Sequence, residues 1–182
     1  MLLPTQIKFN SHDCTLMLGV AHLEIPEEIK VVGASNGLTL KSEFHISIVV
    51  SDNARRVHDL VEEFQQFNET LQNLETLAKA QDWSYERLGR YSLHEEIYTR
   101  ERLMEAGKSD VPPHIRRAIV ERVHVPGIEQ YYHGLSALLG PSFEVPLTHI
   151  TIYSWSDFAP LELRGISILK DEDYKRTLIR EL

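Results

Sequence analysis

Cysteine is all but missing: Cys14 is the only one in 182 residues. No disulfide can form within the chain and no thiolate pair can hold a metal, so a reducing compartment is the expectation. Positive charge is scarce as well, with 19 Lys and Arg against 27 Asp and Glu and a formal net charge of −8. A protein that grips long nucleic acid ordinarily carries a basic face and a high isoelectric point. Long RNA or DNA is therefore disfavoured as a partner, whereas a small nucleotide or an RNA terminus, held by a few local groups, stays compatible. No apolar run approaches the ~18 residues of a membrane span. Met1-Leu2-Leu3-Pro4 lacks the basic region and apolar core of a secretion signal. A cytoplasmic protein with no membrane partner is expected. The nine glycines are scattered, with neither Gly-x-Gly-x-x-Gly nor Gly-x4-Gly-Lys-Ser/Thr, so a triphosphate-driven reaction is unsupported. A Gly-x-Ser-x-Gly elbow is missing too.

What is present is ordinary in bulk and unusual in one detail. Hydrophobic content of 42% and charged content of 25% are those of a globular chain. The length suits one domain, 1–182, with a sizeable core. The detail is a repeated pattern, Glu43-Phe44-His45-Ile46-Ser47-Ile48-Val49 and Leu147-Thr148-His149-Ile150-Thr151-Ile152-Tyr153. Each is a β-branched run with a histidine followed two residues later by a hydroxyl. Side chains alternate along a strand. His45 and Ser47 thus share one face with Ile46 and Ile48 behind, and His149 and Thr151 repeat this before Ile150 and Ile152. A histidine in such a run is ordinarily a satisfied core residue, and the coincidence of type, offset and phase is what separates these two. Paired imidazoles suit a phosphodiester: one takes a proton from the nucleophile, the other gives one to the leaving oxygen. The hydroxyls of Ser47 and Thr151 can hold the non-bridging oxygens, which gain charge in the transition state.

His45-Ile46-Ser47 and His149-Ile150-Thr151 resemble the paired His-x-Ser/Thr motifs of the two-histidine (2H) phosphoesterases, which include 2'-5' RNA ligase-like proteins and cyclic phosphodiesterases. The separation of 104 residues (149 − 45) suits the two-lobed fold of that superfamily. The resemblance implies an α+β fold with pseudo-twofold symmetry: two antiparallel sheets face each other across a central groove, with helices on the outer faces. It implies a phosphodiesterase that needs no metal or other cofactor and acts on a 2',3'-cyclic nucleotide or an RNA-end phosphodiester. His45 and His149 would be catalytic, and Ser47 and Thr151 would bind phosphate. Making or breaking a 2'-5' linkage would use the same residues. RNA-acting relatives often have a basic residue after the second motif, whereas Tyr153-Ser154 follows here, which tilts the expectation toward a small nucleotide. Tyr153 and Trp155, read as having the parity of His149, are candidates for lining the groove, and so is Lys41, with the parity of His45. The competing class is a non-catalytic module that binds a nucleotide or another protein.

Along the rest of the chain, strands are expected at 6–9 and 15–20, with a strand or helix end at 29–32. A motif strand follows over 38–50. Ser51 or Asp52 should cap one long helix, whose stripe runs Val57, Leu60, Val61, Phe64, Phe67, Leu71, Leu74 and Ala78. Residues 83–98 read as one or two strands from which Arg87, Arg90 and Tyr91 could reach a substrate. Residues 99–113 read as a mobile excursion. A strand is expected over 114–125, then a helix that starts at Pro126 and stops at Gly140-Pro141. Ser154 to Asp157 reads as a polar turn, Ile166 to Leu169 as a last strand, and 171–182 as a helical tail. Two weak metal candidates stand out, His12-Asp13 and the trio His124, Glu129 and His133, both at poor offsets.

Overall fold

The structure, a computed structural model, describes residues 1–64, 66–105, 108–158 and 165–182. The fold is α+β, with eight strands and six helices among the described residues. The strands are β1 (Gln6–Asn10), β2 (Thr15–Val20), β3 (Thr39–Leu40), β4 (Phe44–Val49), β5 (Glu86–Tyr98), β6 (His114–His124), β7 (His149–Ser156) and β8 (Leu178–Glu181). The helices are α1 (Glu27–Ser35), α2 (Ser51–Glu63), α3 (Phe67–Lys79), α4 (Arg100–Glu105), α5 (Ile128–Leu139) and α6 (Asp171–Thr177). The chain divides into two compact units. The first comprises Met1–Ala21, His45–Arg87 and Val123–Thr148; the second comprises His22–Phe44, Leu88–Arg122 and His149–Leu182.

In the first unit the strand order is β1-β2-β4. β1 and β2 form an antiparallel hairpin in register from Gln6↔Gly19 to Asn10↔Thr15. Its turn is closed by Asp13, whose carboxylate accepts the Thr15 N–H at 3.1 Å and the Thr15 hydroxyl at 2.8 Å. Alternation places Leu16, Leu18 and Val20 in the core with Ile46 and Ile48 of β4. Helix α5 ties directly to the first motif strand: the buried Tyr132 hydroxyl donates to the Ile48 carbonyl at 2.7 Å. Gly127, at the cap of α5, lies where a Cβ would stand 2.4 Å from the Asp82 carbonyl oxygen, so only glycine permits this approach. The helix ends at Gly140, whose φ of 93° is the left-handed conformation that stops it.

In the second unit the order is β7-β6-β5-β8, with β3 also paired to β7. The β6/β7 register runs from Arg116↔Ser156 to Ile119↔Tyr153, then shifts so that Val120 faces Thr151 and Arg122 faces His149. Ile152 is the extra residue of a β-bulge. Residues directly opposite each other share a face of the sheet. His149 and Thr151 therefore lie on the face of Arg122 and Val120, whereas Tyr153 and Trp155 lie with Ile119 and Arg117 on the other. Helix α1 packs on that other face, with the Tyr153 ring so close to Gly33 that a Cβ there would meet it at 2.8 Å.

Several expectations are corrected. The motif strand over 38–50 is not continuous: β3 and β4 are separated by 41–43, so strand parity does not carry from His45 to Lys41. The long helix is two, because Phe64 takes an extended backbone (ψ 133°). Val57, Val61, Leu74 and Ala78 are buried as expected, but Phe64 and Phe67 are 39% and 37% exposed. The cap of α2 is Val50, without a side-chain cap bond. Where alternatives were open, residues 29–32 take the helical one, within α1, and the region 83–98 holds one strand, β5, of 13 residues. The excursion over 99–113 contains α4, while Ala106 and Gly107 within it lie outside the described residues. Pro126 precedes the cap of α5 rather than starting the helix. Ser154 to Ser156 belong to β7, Ile166 to Leu169 form no strand, and the tail is α6 followed by β8.

Candidate functional site

The first motif sits on β4 in the phase its sequence predicts. Ile46 and Ile48 are 0% and 1% exposed, while His45 and Ser47 are half-buried. The strand is fixed from behind by the Tyr132 bond to Ile48 and by Asn53, whose amide donates to the Tyr132 hydroxyl at 3.3 Å. The first unit thus presents one imidazole and one hydroxyl on a face opposite its core.

The second motif sits on β7 of the second unit. Ile150 and Ile152 are fully buried, His149 is 9% exposed and Thr151 is half-buried. Gly165 lies against Thr151, since a Cβ on it would stand 2.8 Å from the threonine Oγ1. The Gly165 carbonyl accepts from Arg116 Nη1 at 3.3 Å. Lys41 meets this strand through its backbone, donating to the Ile152 carbonyl at 2.9 Å. Burial pulls its ammonium below the ordinary lysine value, with Glu43 opposing. Tyr153 is core, packed on α1, and Trp155 lies under the Arg117 guanidinium at 5.4 Å. The bulge at Ile152 thus overturns the parity expected between these two aromatics and His149.

Two residues that sequence reading did not single out stand beside His149. One is Arg122, its cross-strand partner. The other is His94, fully buried on β5 and close enough that the charge of His149 lowers its proton affinity. Burial is the larger cause, and together they bring the His94 pKa down to about 4, so it is neutral at pH 7. Its hydrogen bonds fix the tautomer. The Thr177 hydroxyl spends its proton on the Asp173 carbonyl at 2.8 Å, so its oxygen accepts from His94 Nδ1–H at 2.9 Å. Nε2 then accepts from the Ser92 hydroxyl at 2.8 Å. The signal for Arg122 was strand register and that for His94 was burial within electrostatic reach of His149, neither of which composition and spacing carry.

The same face continues into a charged network that braces α4 and α6 on the sheet. The Glu96 carboxylate, 0% exposed, takes Arg102 and Arg176 on one oxygen. Tyr98 stacks on His114 at 4.7 Å, and the Arg116 guanidinium lies 4.4 Å from the centre of its ring. His114 donates from Nδ1 to the Pro112 carbonyl at 2.8 Å and accepts from Arg116 Nε at 3.0 Å. These are architectural contacts, each cation matched by a carboxylate, an acceptor or a ring. Of the β5 candidates, Arg90 is exposed, Arg87 is half-buried and Tyr91 is buried.

The metal candidates do not assemble. His12 and Asp13 border a cleft of about 380 Å³ with Arg55 and His58, but His58 Nε2 lies 3.7 Å from Glu62 and Nδ1 lies 3.9 Å from Asp59. His124, Glu129 and His133 are exposed. Among the described residues no group of three or more His, Cys, Asp or Glu is placed to hold a metal ion, and no helix is long and apolar enough to cross a membrane. No model of a known protein family, no curated protein and no solved structure matches the chain.

Proposed function

We propose that this chain is a metal-independent phosphodiesterase acting on a 2',3'-cyclic nucleotide or an RNA-end phosphodiester. His45 and His149 are its acid and base, and Ser47 and Thr151 hold the non-bridging oxygens. The observation that carries the reading is the repeat in phase. Each His-x-Ser/Thr lies on a strand, β4 and β7, and each is backed by isoleucines that are 0–1% exposed. A neutral imidazole accepts the proton of the attacking water as its oxygen bonds phosphorus. A protonated imidazole donates to the ribose oxygen as its bond to phosphorus breaks, leaving a monoester. The ordinary histidine pKa near 6.5 lets one residue type serve both roles near neutral pH.

The test is a panel of 2',3'-cyclic nucleotides, short RNAs with cyclic ends and 2'-5'-linked dinucleotides, with and without chelator. Turnover of a cyclic phosphate that survives chelator is the expected result. Loss with chelator and rescue by a divalent ion would contradict it. Binding of a nucleotide without turnover, insensitive to the two histidines, would leave a binding module on the same fold.

A further inference from the structure

The cations on the His149 face of the second unit are not equivalent. Arg102 and Arg176 are neutralised by Glu96, and Arg176 also pairs with Asp173 at 3.0 Å. Arg116 is held by the His114 imidazole and the Gly165 carbonyl. Arg117, on the opposite face, pairs with Glu95 at 2.7 Å. Arg122 differs from all of these. Its guanidinium rests 5.3 Å from the centre of the Tyr174 ring. Its Nε is buried and has no hydrogen-bond acceptor among the described residues. A buried guanidinium N–H without an acceptor is destabilising, because water's hydrogen bonds are lost and nothing replaces them. Such a group persists where an acceptor arrives with a ligand. A guanidinium fork suits a tetrahedral oxyanion, which can accept from two N–H groups at once.

Position sharpens this. Arg122 stands directly across from His149 in the β6/β7 register, which puts their Cβ atoms about 5 Å apart. His94, within electrostatic reach of His149, is held neutral with both ring nitrogens engaged. It neither competes with Arg122 for an anion nor neutralises it. We propose that Arg122 is an anion-binding residue that receives a phosphate group held against His149. The identity of that phosphate as the reacting one rests on the phosphodiesterase reading; the binding of phosphate by Arg122 does not.

The test uses the full chain and measures affinity for inorganic phosphate, 3'-AMP and adenosine in wild type, Arg122→Gln, Arg122→Lys and the control Arg117→Gln. Losing a charge-assisted pair should weaken phosphate and 3'-AMP by ~10–100-fold in Arg122→Gln. Arg122→Lys should lose less, and Arg117→Gln and adenosine should be unaffected. The stack on Tyr174 could make Arg122→Gln unstable. In that event the wild type and Arg122→Lys report together: phosphate should shift and protect from exchange one wild-type arginine Nε–H resonance that is missing in Arg122→Lys. Equal phosphate affinity in wild type and Arg122→Gln, an equal loss in Arg117→Gln, or arginine Nε–H resonances indifferent to phosphate would each overturn the proposal. Phosphate binding through Arg122 without turnover of any phosphodiester would uphold it while defeating the phosphodiesterase reading. Turnover of a cyclic phosphate together with phosphate affinity indifferent to Arg122→Gln would do the reverse.

Discussion

His94 makes the second unit sensitive to acid, and the size of the effect follows from its surroundings. The ring is fully buried between the Ser92 and Thr177 hydroxyls, with a pKa brought down to about 4 by burial first and His149 second. In the unfolded chain the same group titrates near 6.5. Between those values the unfolded state binds a proton that the native state does not, so stability falls as pH drops below about 6.5 and the loss is complete near 4. Each tenfold change in proton affinity is worth about 1.4 kcal/mol, so the whole interval amounts to roughly 3 kcal/mol. That is a large share of the ~5–15 kcal/mol that holds a domain together. Urea unfolding at pH 7, 6, 5 and 4.5, in wild type and His94→Gln, measures it. The variant should be less stable at pH 7, having lost its imidazole bonds, yet should lose roughly 2 kcal/mol less on acidification from pH 7 to 4.5. His149→Ala, which removes the second cause, should shrink the wild-type loss slightly. Parallel pH curves for wild type and His94→Gln would refute the reasoning.

Two glycines give sharper steric tests. Gly127→Ala drives a methyl to 2.4 Å from the Asp82 backbone carbonyl, and because backbone cannot swing aside the cost should be about 2 kcal/mol or more. An unfolding midpoint shift equivalent to less than about 0.5 kcal/mol, the scale of an ordinary surface change, would contradict that packing. Gly165→Ala sets a methyl 2.8 Å from Thr151 Oγ1 and forces the hydroxyl to turn. Turnover should fall about as far as in Thr151→Ala, roughly 10–10³-fold; full turnover would remove Thr151 from the site.

The parts of the fold that sequence made legible are those with a strict period. The β1/β2 hairpin, β6, α5 and its stop at Gly140 each carry an uninterrupted pattern of two or of 3.6. Both motifs are in the same class, since a half-buried strand needs its isoleucines in alternation. Errors arose where a pattern continued but the backbone did not. Phe64 and Phe67 prolong the apolar stripe, yet the chain turns extended at Phe64 and the two rings end up half in solvent. Ser154-Trp155-Ser156 looks polar enough for a turn, but small hydroxyl residues can be buried in a paired strand, and Ser154 is 0% exposed. The bulge at Ile152 has no composition signature, since one added residue changes the face of everything beyond it without changing the residue types. Arg122 was unreadable because its importance lies in the strand residue it faces, and His94 because its importance lies in burial and in the charge near it.

The claim that His45 and His149 act as one catalytic unit is tested most directly by a kinetic cycle on the best cyclic substrate. Wild type, His45→Ala, His149→Ala and the double variant are compared by kcat/KM. Loss of a general acid or base costs ~10²–10⁴-fold, so each single change should nearly silence the reaction. On the proposed reading the two act on the same substrate, so the double variant should lose far less than the product of the two single losses. Single losses that multiply fully in the double variant, or a wild-type rate that either change leaves intact, would contradict the account.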